Sequence, residues 1–305
     1  MMKYFFLLFS CFLFVSSSIA DSMSDIYTKG YFLRLQTFLE MNQSIYGNDE
    51  FTKAKYADAT IFKTKRYHVK YMTLSDPDSD AQVICIRGTH NMVNAWIDSH
   101  YFLKEDPYLK TLVHRGFNKA AREMLPQVLS DLEKDRKVIL TGHSMGGAIA
   151  ILLGMYLDTM GYEVHQIITQ GQPRVTNSAG VTKFKHLPLL RIANQGDLVV
   201  YLPPPYITRY RHFGHKLYLA KDGAFEYSVP GKNNLLDNYP SREGEDIREL
   251  WDKIRSSPQI TEKFSQLYDE QPIQIDPLLF FKVHNINVYL KRVQEIIQTF
   301  PFPQK

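Results

Sequence analysis

Disulfide chemistry is nearly closed to this chain. It has two cysteines in 305 residues, and Cys11 falls within an apolar leading stretch, which leaves Cys85 without an intrachain partner once that stretch is removed. A fold organised by cystine bridges is thereby excluded. Cys85 lies inside the apolar run AQVICIRG (81–88) and reads as a buried, inert thiol. Long hydrophobic runs are also scarce. The leader MMKYFFLLFSCFLFVSSSIA places Lys3 before an apolar stretch from Tyr4 to Val15 and ends in Ser18-Ile19-Ala20. This is the layout of a secretory signal with cleavage after Ala20, and a lipoprotein signal through Cys11 fits less well, because Phe9 is unfavourable and apolar residues continue beyond the cysteine. The leader is short for a membrane span, and no later run is long enough to cross a bilayer. Residues 21–305 are expected to form one domain.

A charge excess of one sign is missing as well. Thirty-six Lys and Arg face 32 Asp and Glu, for a net +4 spread along the chain. That distribution argues against a nucleic-acid surface, and RYRHFGHK (209–216) is too isolated to change the reading. The chain has no Walker loop, no dinucleotide-binding glycine fingerprint and no zinc-spaced Cys/His cluster. His212 and His215 stand at a spacing that would share a helical face, but they lack a third ligand. No metal or organic cofactor is expected.

What is present centres on LTGHSMGGAIA (140–150). An apolar run, Lys137 to Leu140, reads as a buried strand, Ala148 to Leu153 reads as a buried helix, and Ser144 sits at their junction between Gly142 and Gly146-Gly147. In a strand-to-helix elbow of the form Gly-x-Ser-x-Gly, small flanking residues let strand and helix approach. The serine is then held proud of the sheet, with helix N-terminal amides directed toward it. A glycine-rich turn carrying an ordinary serine would share the bare pattern, so its partners must decide.

The element order supplies the context. Strand-like segments fall at 66–74, 81–87, 137–142, 164–170, 187–194 and 215–220, with helical patterns at about 117–135, 145–159, 177–185 and 278–299. Such alternation predicts an α/β fold with a mostly parallel central sheet and helices on both faces. KDG (221–223) predicts a tight turn into AFEYS and so an antiparallel pair at one end of the sheet. Residues 229–275, rich in charge, glycine and proline, read as an insertion.

A serine hydroxyl becomes a nucleophile when a base takes its proton and an acid fixes the base. In folds with this elbow, acid and then histidine follow the serine, each in a loop after a later strand. Asp197, just after the strand LPLLRIAN, fits the acid; an Asx turn is the alternative reading of that position. Five histidines follow Ser144. His165 and His186 precede the acid, and His212 and His215 lie before or at the start of the last parallel strand. His284 follows all the strands, so chain order selects it. An oxyanion hole would take the amide of Met145 and a second donor from Thr89, in the turn where the strand AQVICIR ends at Gly88.

IRGTHNMVNAWID, VHRGFNKA, VILTGHSMGGAIA, GQPRVTN, RIANQGDLVVYLPP, FGHKLYL and HNINVYL, taken in order, resemble the class 3 lipases, the group of fungal triacylglycerol lipases and plant phospholipase A1-type enzymes. The resemblance implies an α/β-hydrolase fold and a secreted serine ester hydrolase acting on acyl lipids. It implies Ser144 as nucleophile, Asp197 as acid, His284 as base and Thr89 with Met145 as the oxyanion hole. It also implies a lid at His90 to Phe102, whose Trp96 and Ile97 meet substrate or a transient lipid interface. Met92, Val93, Trp96 and Ile97 stand at helical spacing, which suits a core-facing helix equally. Two departures concern specificity: the interval from Asp197 to His284 is longer than in the fungal lipases, and Val283 stands where those have aspartate. A phospholipase A1, an acyltransferase, a small-ester esterase or a non-catalytic lipid-binding module would share the same blocks.

Overall fold

The computed structural model describes residues 28–88, 102–197, 199–203, 209–229 and 283–303. The expected secretory leader, Thr89, the expected lid residues Trp96 and Ile97, and nearly all of the expected insertion lie outside the described residues.

The chain enters through two helices. Thr28 caps α1 (Lys29–Ser44), its hydroxyl accepting the Tyr31 amide, and Phe32, Leu35, Phe38, Leu39 and Met41 form its buried stripe. Asn48 caps α2 (Asp49–Lys55), where Asp49 and Glu50 in the first turn and Lys53 and Lys55 in the last complement the helix dipole. Neither helix was anticipated from the sequence.

Eight strands build the main sheet: β1 (Thr60–Lys63), β2 (Lys70–Ser75), β3 (Gln82–Ile86), β6 (Val138–His143), β7 (Val164–Gln170), β9 (Leu189–Asn194), β11 (His215–Leu219) and β12 (Phe225–Ser228), in that spatial order. The central five, β3 to β11, run parallel; β1 and β2 at one edge and β12 at the other are antiparallel. The antiparallel closure after the 221–223 turn is therefore as expected. The first expected strand starts late, at Lys70, because His68 takes a left-handed backbone (φ 52°) that interrupts the extended run.

A second sheet of four short antiparallel strands, not foreseen from the sequence, pairs β4 (Leu103–Asp106), β5 (Thr111–His114), β8 (Thr176–Asn177) and β10 (Tyr210–Arg211). His212 thus follows a strand and His215 opens the next one. They share no helical face, because the chain between them is extended with a bend at Gly214.

Side chains of the main sheet alternate between two cores. Ile84, Ile86, Leu140 and Ile167 pack with α3 (Arg115–Asp131) and α4 (Met145–Thr159), while Val83, Cys85, Ile139, Ile168 and Leu217 pack with α1 and α6 (Ile286–Thr299). A short α5 (Ser178–Phe184) joins β8 to β9. Helix α4 is apolar on every side because it is buried from Gly146 to Leu157. Helix α6 is capped by the Asn285 side chain, and residues 278–282 of the expected helical pattern lie outside the described residues. Among the described residues no helix is long and apolar enough to cross a membrane. Layers of helices on both faces of a mostly parallel sheet make this an α/β fold, as the element order predicted, and agree with the α/β-hydrolase fold that the resemblance implies.

Candidate active site

Ser144 caps α4 directly after β6 with φ 61° and ψ −128°, a region that non-glycine residues rarely occupy. Such a backbone costs about 1–3 kcal/mol and persists where the surroundings over-determine it. Here the Ser144 amide donates to the Gln170 carbonyl at 2.8 Å, while its own carbonyl accepts the Ala148 amide at 3.2 Å. The flanking glycines are needed for space. A Cβ on Gly142 would collide with the Gly146 backbone, and one on Gly146 would strike the Ile86 carbonyl and come within 2.8 Å of the Arg87 carbonyl carbon. As the first residue of α4, Met145 has no carbonyl inside the helix for its amide to bond. Its N–H therefore belongs to the positive end of the helix.

Asp197 follows β9 through the Gln195-Gly196 turn and is fully buried. Its carboxylate is satisfied on both oxygens. Oδ1 accepts the Val199 amide at 2.9 Å; Oδ2 accepts the Tyr289 hydroxyl at 2.5 Å and the His284 Nδ1–H at 2.8 Å. Tyr289 also accepts the Asn194 amide, and Arg292, one turn along α6, donates to the Leu219 carbonyl. The last helix therefore grips the strand ends on both sides of the Asp197 loop.

Because His284 donates its Nδ1–H to Asp197, the neutral form of the ring presents an unprotonated Nε2. That atom is buried and makes no hydrogen bond among the described residues. An unsatisfied buried acceptor of this kind costs about 1–3 kcal/mol, and such an atom calls for a functional account. Gly171 explains how the pair reaches the elbow. It follows Gln170, the residue that holds the Ser144 amide, and it adopts φ 58°; a Cβ there would lie 2.8 Å from both Asp197 Oδ2 and His284 Cε1. On the other side, His143 packs its ring 4.6 Å from that of His284 and donates Nε2–H to the His284 carbonyl at 2.6 Å. Burial, followed by the neighbouring His284, holds the His143 imidazole well below its usual range.

The structure thus brings Asp197 and His284 together beside the backbone of Ser144 and Met145. Thr89, Trp96 and Ile97 lie outside the described residues. Its neighbour Gly88 packs against the elbow, for a Cβ on it would lie 3.1 Å from the Ser144 Cβ. Tyr46, His143, Gly171 and Tyr289 were not singled out from the sequence. The glycine after a strand in TQGQPR was a readable signal; the polar tip of a tyrosine on an apolar helix face was not.

Residues 83–207 match the model of the class 3 lipases. The chain is similar to a lipase of Rhizomucor miehei, with 34% identity over 142 residues that cover 42% of this chain and 39% of that protein. It is also similar to the secreted mono- and diacylglycerol lipase 1 of Fusarium solani, with 30% identity over 147 residues covering 45% and 43% of the two chains. Each match thus spans only about two fifths of the relative's length. In fold, the Rhizomucor miehei triacylglyceride lipase superimposes with a TM-score of 0.57 at 22% identity, over 66% of this chain and 84% of that one. The family match runs from β3 through the elbow to the Asp197 loop, on the sheet order described above.

Proposed function

We propose that this protein is a serine ester hydrolase of lipase type that cleaves carboxylic esters of acylglycerols or related lipids. The observation that carries the reading is the buried Asp197–His284 pair, 2.8 Å apart, with an unsatisfied Nε2 beside a serine in a strained strand-to-helix elbow. In this reading the Ser144 Oγ attacks the ester carbonyl carbon while His284 Nε2 takes its proton, and Asp197 stabilises the resulting imidazolium. The tetrahedral oxyanion is received by the Met145 amide and by Thr89. Collapse expels the alcohol with the proton returned from His284, and water then repeats the sequence on the acyl-enzyme to release the carboxylic acid. The chemistry needs neither metal nor organic cofactor. Removing one oxyanion donor costs about 3 kcal/mol of barrier in sites of this kind.

The match to the class 3 lipase model and the lipase relatives support the substrate class. Export through the leader at residues 1–20, and a lid carrying Trp96 and Ile97 that meets a lipid surface, belong to the same proposal, and a relative named as secreted supports export. The test is hydrolysis across a panel from short soluble esters to emulsified glycerides and phospholipids, with Ser144→Ala alongside. Serine-dependent turnover of long-chain glycerides is the expected result. Ester turnover unchanged in Ser144→Ala would overturn the proposal.

A further inference from the structure

His143 stands immediately before the elbow serine, yet the reaction as written makes no use of it. Its bonding can be assigned from one end. His143 Nε2 lies 2.6 Å from the main-chain carbonyl of His284, and a carbonyl only accepts, so Nε2 carries the proton. The neutral ring then has an acceptor at Nδ1, where the Tyr46 hydroxyl donates at 2.8 Å. The Tyr46 oxygen in turn receives the Gly88 amide, against which it packs so closely that a Cβ on Gly88 would lie 2.5 Å from it. Each group therefore has a fixed direction: Gly88 N–H to Tyr46, Tyr46 O–H to His143 Nδ1, His143 Nε2–H to His284 C=O. Hydrogen bonds in such a buried chain strengthen one another.

The two ends of the chain are what make it more than satisfied polarity. One end is the residue before Thr89, the other is the main chain of the proposed base, and the middle is covalently joined to Ser144. Tyr46 enters from just beyond α1. His143 is also held at close ring contact with His284, 4.6 Å between centroids, so its neutrality keeps a second positive charge away from the imidazolium that forms during turnover.

We propose that Tyr46 and His143 are positioning residues: their hydrogen-bond chain locks the Gly88 loop, the elbow and the His284 main chain into one register, so that oxyanion donor and base act on the same tetrahedral centre. This rests on the Ser144–His284–Asp197 reading above and adds to it a role for two residues outside the triad.

The experiment compares Tyr46→Phe, His143→Leu, His143→Gln and the Tyr46→Phe/His143→Leu double variant in the full chain, beside Ser144→Ala. Steady-state kinetics on a soluble ester and the rate of Ser144 labelling by a fluorophosphonate are measured for each. Tyr46→Phe, which loses one hydrogen bond of the chain, and His143→Leu, which loses two, are expected to lower kcat about tenfold or more at nearly constant KM. The glutamine amide keeps a donor for the His284 carbonyl and an acceptor for Tyr46, so His143→Gln is expected to recover most of the rate. The double variant should be no slower than the slower single one, because the chain acts as a unit. In protein labelled with 15N-histidine, a slowly exchanging downfield Nε2–H resonance is expected in the parent and lost in both His143 variants; its absence from the parent overturns the proposal without reference to activity. Parent labelling at Ser144 with unchanged rates in Tyr46→Phe overturns the positioning role alone. No labelling of the parent overturns the triad reading and the positioning role together.

Discussion

Tyr289 and His284 donate to the same oxygen of Asp197, at 2.5 and 2.8 Å, from positions five residues apart at the start of the last helix. A fully buried carboxylate is stable only when its oxygens are paired, and Tyr289 supplies one of three such bonds while also accepting the Asn194 amide. Tyr289→Phe removes both bonds at once. The expected outcome is about a tenfold fall in kcat and a stability loss on the order of 2 kcal/mol, since hydrogen bonds to charged groups are among the stronger ones. Parallel kinetics and urea denaturation check it, and a variant as stable and as active as the parent would show that Asp197 is held without the tyrosine.

Gly146 is expected to be the least replaceable residue of the elbow. Alanine there drives a methyl group into the Ile86 carbonyl on β3, and backbone cannot swing aside as a flexible side chain does. Forced overpacking of this kind costs about 1–3 kcal/mol or more. Gly161, which has open space around the position of a Cβ but a φ of 79°, makes the comparison informative. There alanine meets only the backbone penalty, about 1 kcal/mol. Thermal unfolding of Gly146→Ala and Gly161→Ala should rank them in that order, and Gly146→Ala alone should also slow fluorophosphonate labelling by displacing Ser144.

The parallel sheet was legible because its strands are buried on both faces and read as apolar runs, as at Val138 to Leu140 and Ile167-Ile168. Chain order along those runs then selected Asp197 and His284. The first helix escaped notice because its stripe of Phe32, Leu35, Phe38 and Leu39 is interrupted by the fully buried Asn42, which bonds to Thr141 across the sheet. The four-stranded sheet escaped because two of its strands are two residues long, below any periodicity. Tyr289 and Tyr46 were hidden for another reason. Tyr289 presents an apolar ring that its helix pattern explains fully, Tyr46 sits in the turn after an unforeseen helix, and only the fold shows what either hydroxyl touches.

Cys85 should be inert in the folded protein. It is fully buried on β3, burial pushes its thiol up, and its Sγ–H points at the Asn42 side-chain oxygen 3.6 Å away. A maleimide at neutral pH is expected to leave the Cys85 peptide unmodified in native protein and to modify it completely in denaturant, as read by peptide mass mapping. Rapid native labelling would mean that this side of the sheet opens readily.

Stability should fall on acidification below about pH 6.5, and His114 provides the cleanest test. The residue is fully buried, its ring stacked 3.8 Å from that of Phe117, and its Nδ1 caps α3 by accepting the Phe117 amide. Burial lowers its pKa to about 3. Above about pH 6.5 the ring is neutral in folded and unfolded chains alike and contributes no pH dependence. Between that value and about 3 the unfolded chain binds a proton that the folded one refuses, so unfolding is favoured as pH falls. His143 and His212, both held well below the usual imidazole range by burial first, act in the same direction. In His114→Asn the amide oxygen keeps an acceptor for the helix cap while removing the titration. The variant is expected to be less stable than the parent at pH 7 through lost packing, and the gap should narrow by about 2 kcal/mol at pH 5, where the parent alone bears this linkage. Urea unfolding at the two pH values measures the difference directly, because groups common to both proteins cancel. A gap that stays constant would show that His114 is protonated in the folded state as readily as in the unfolded one.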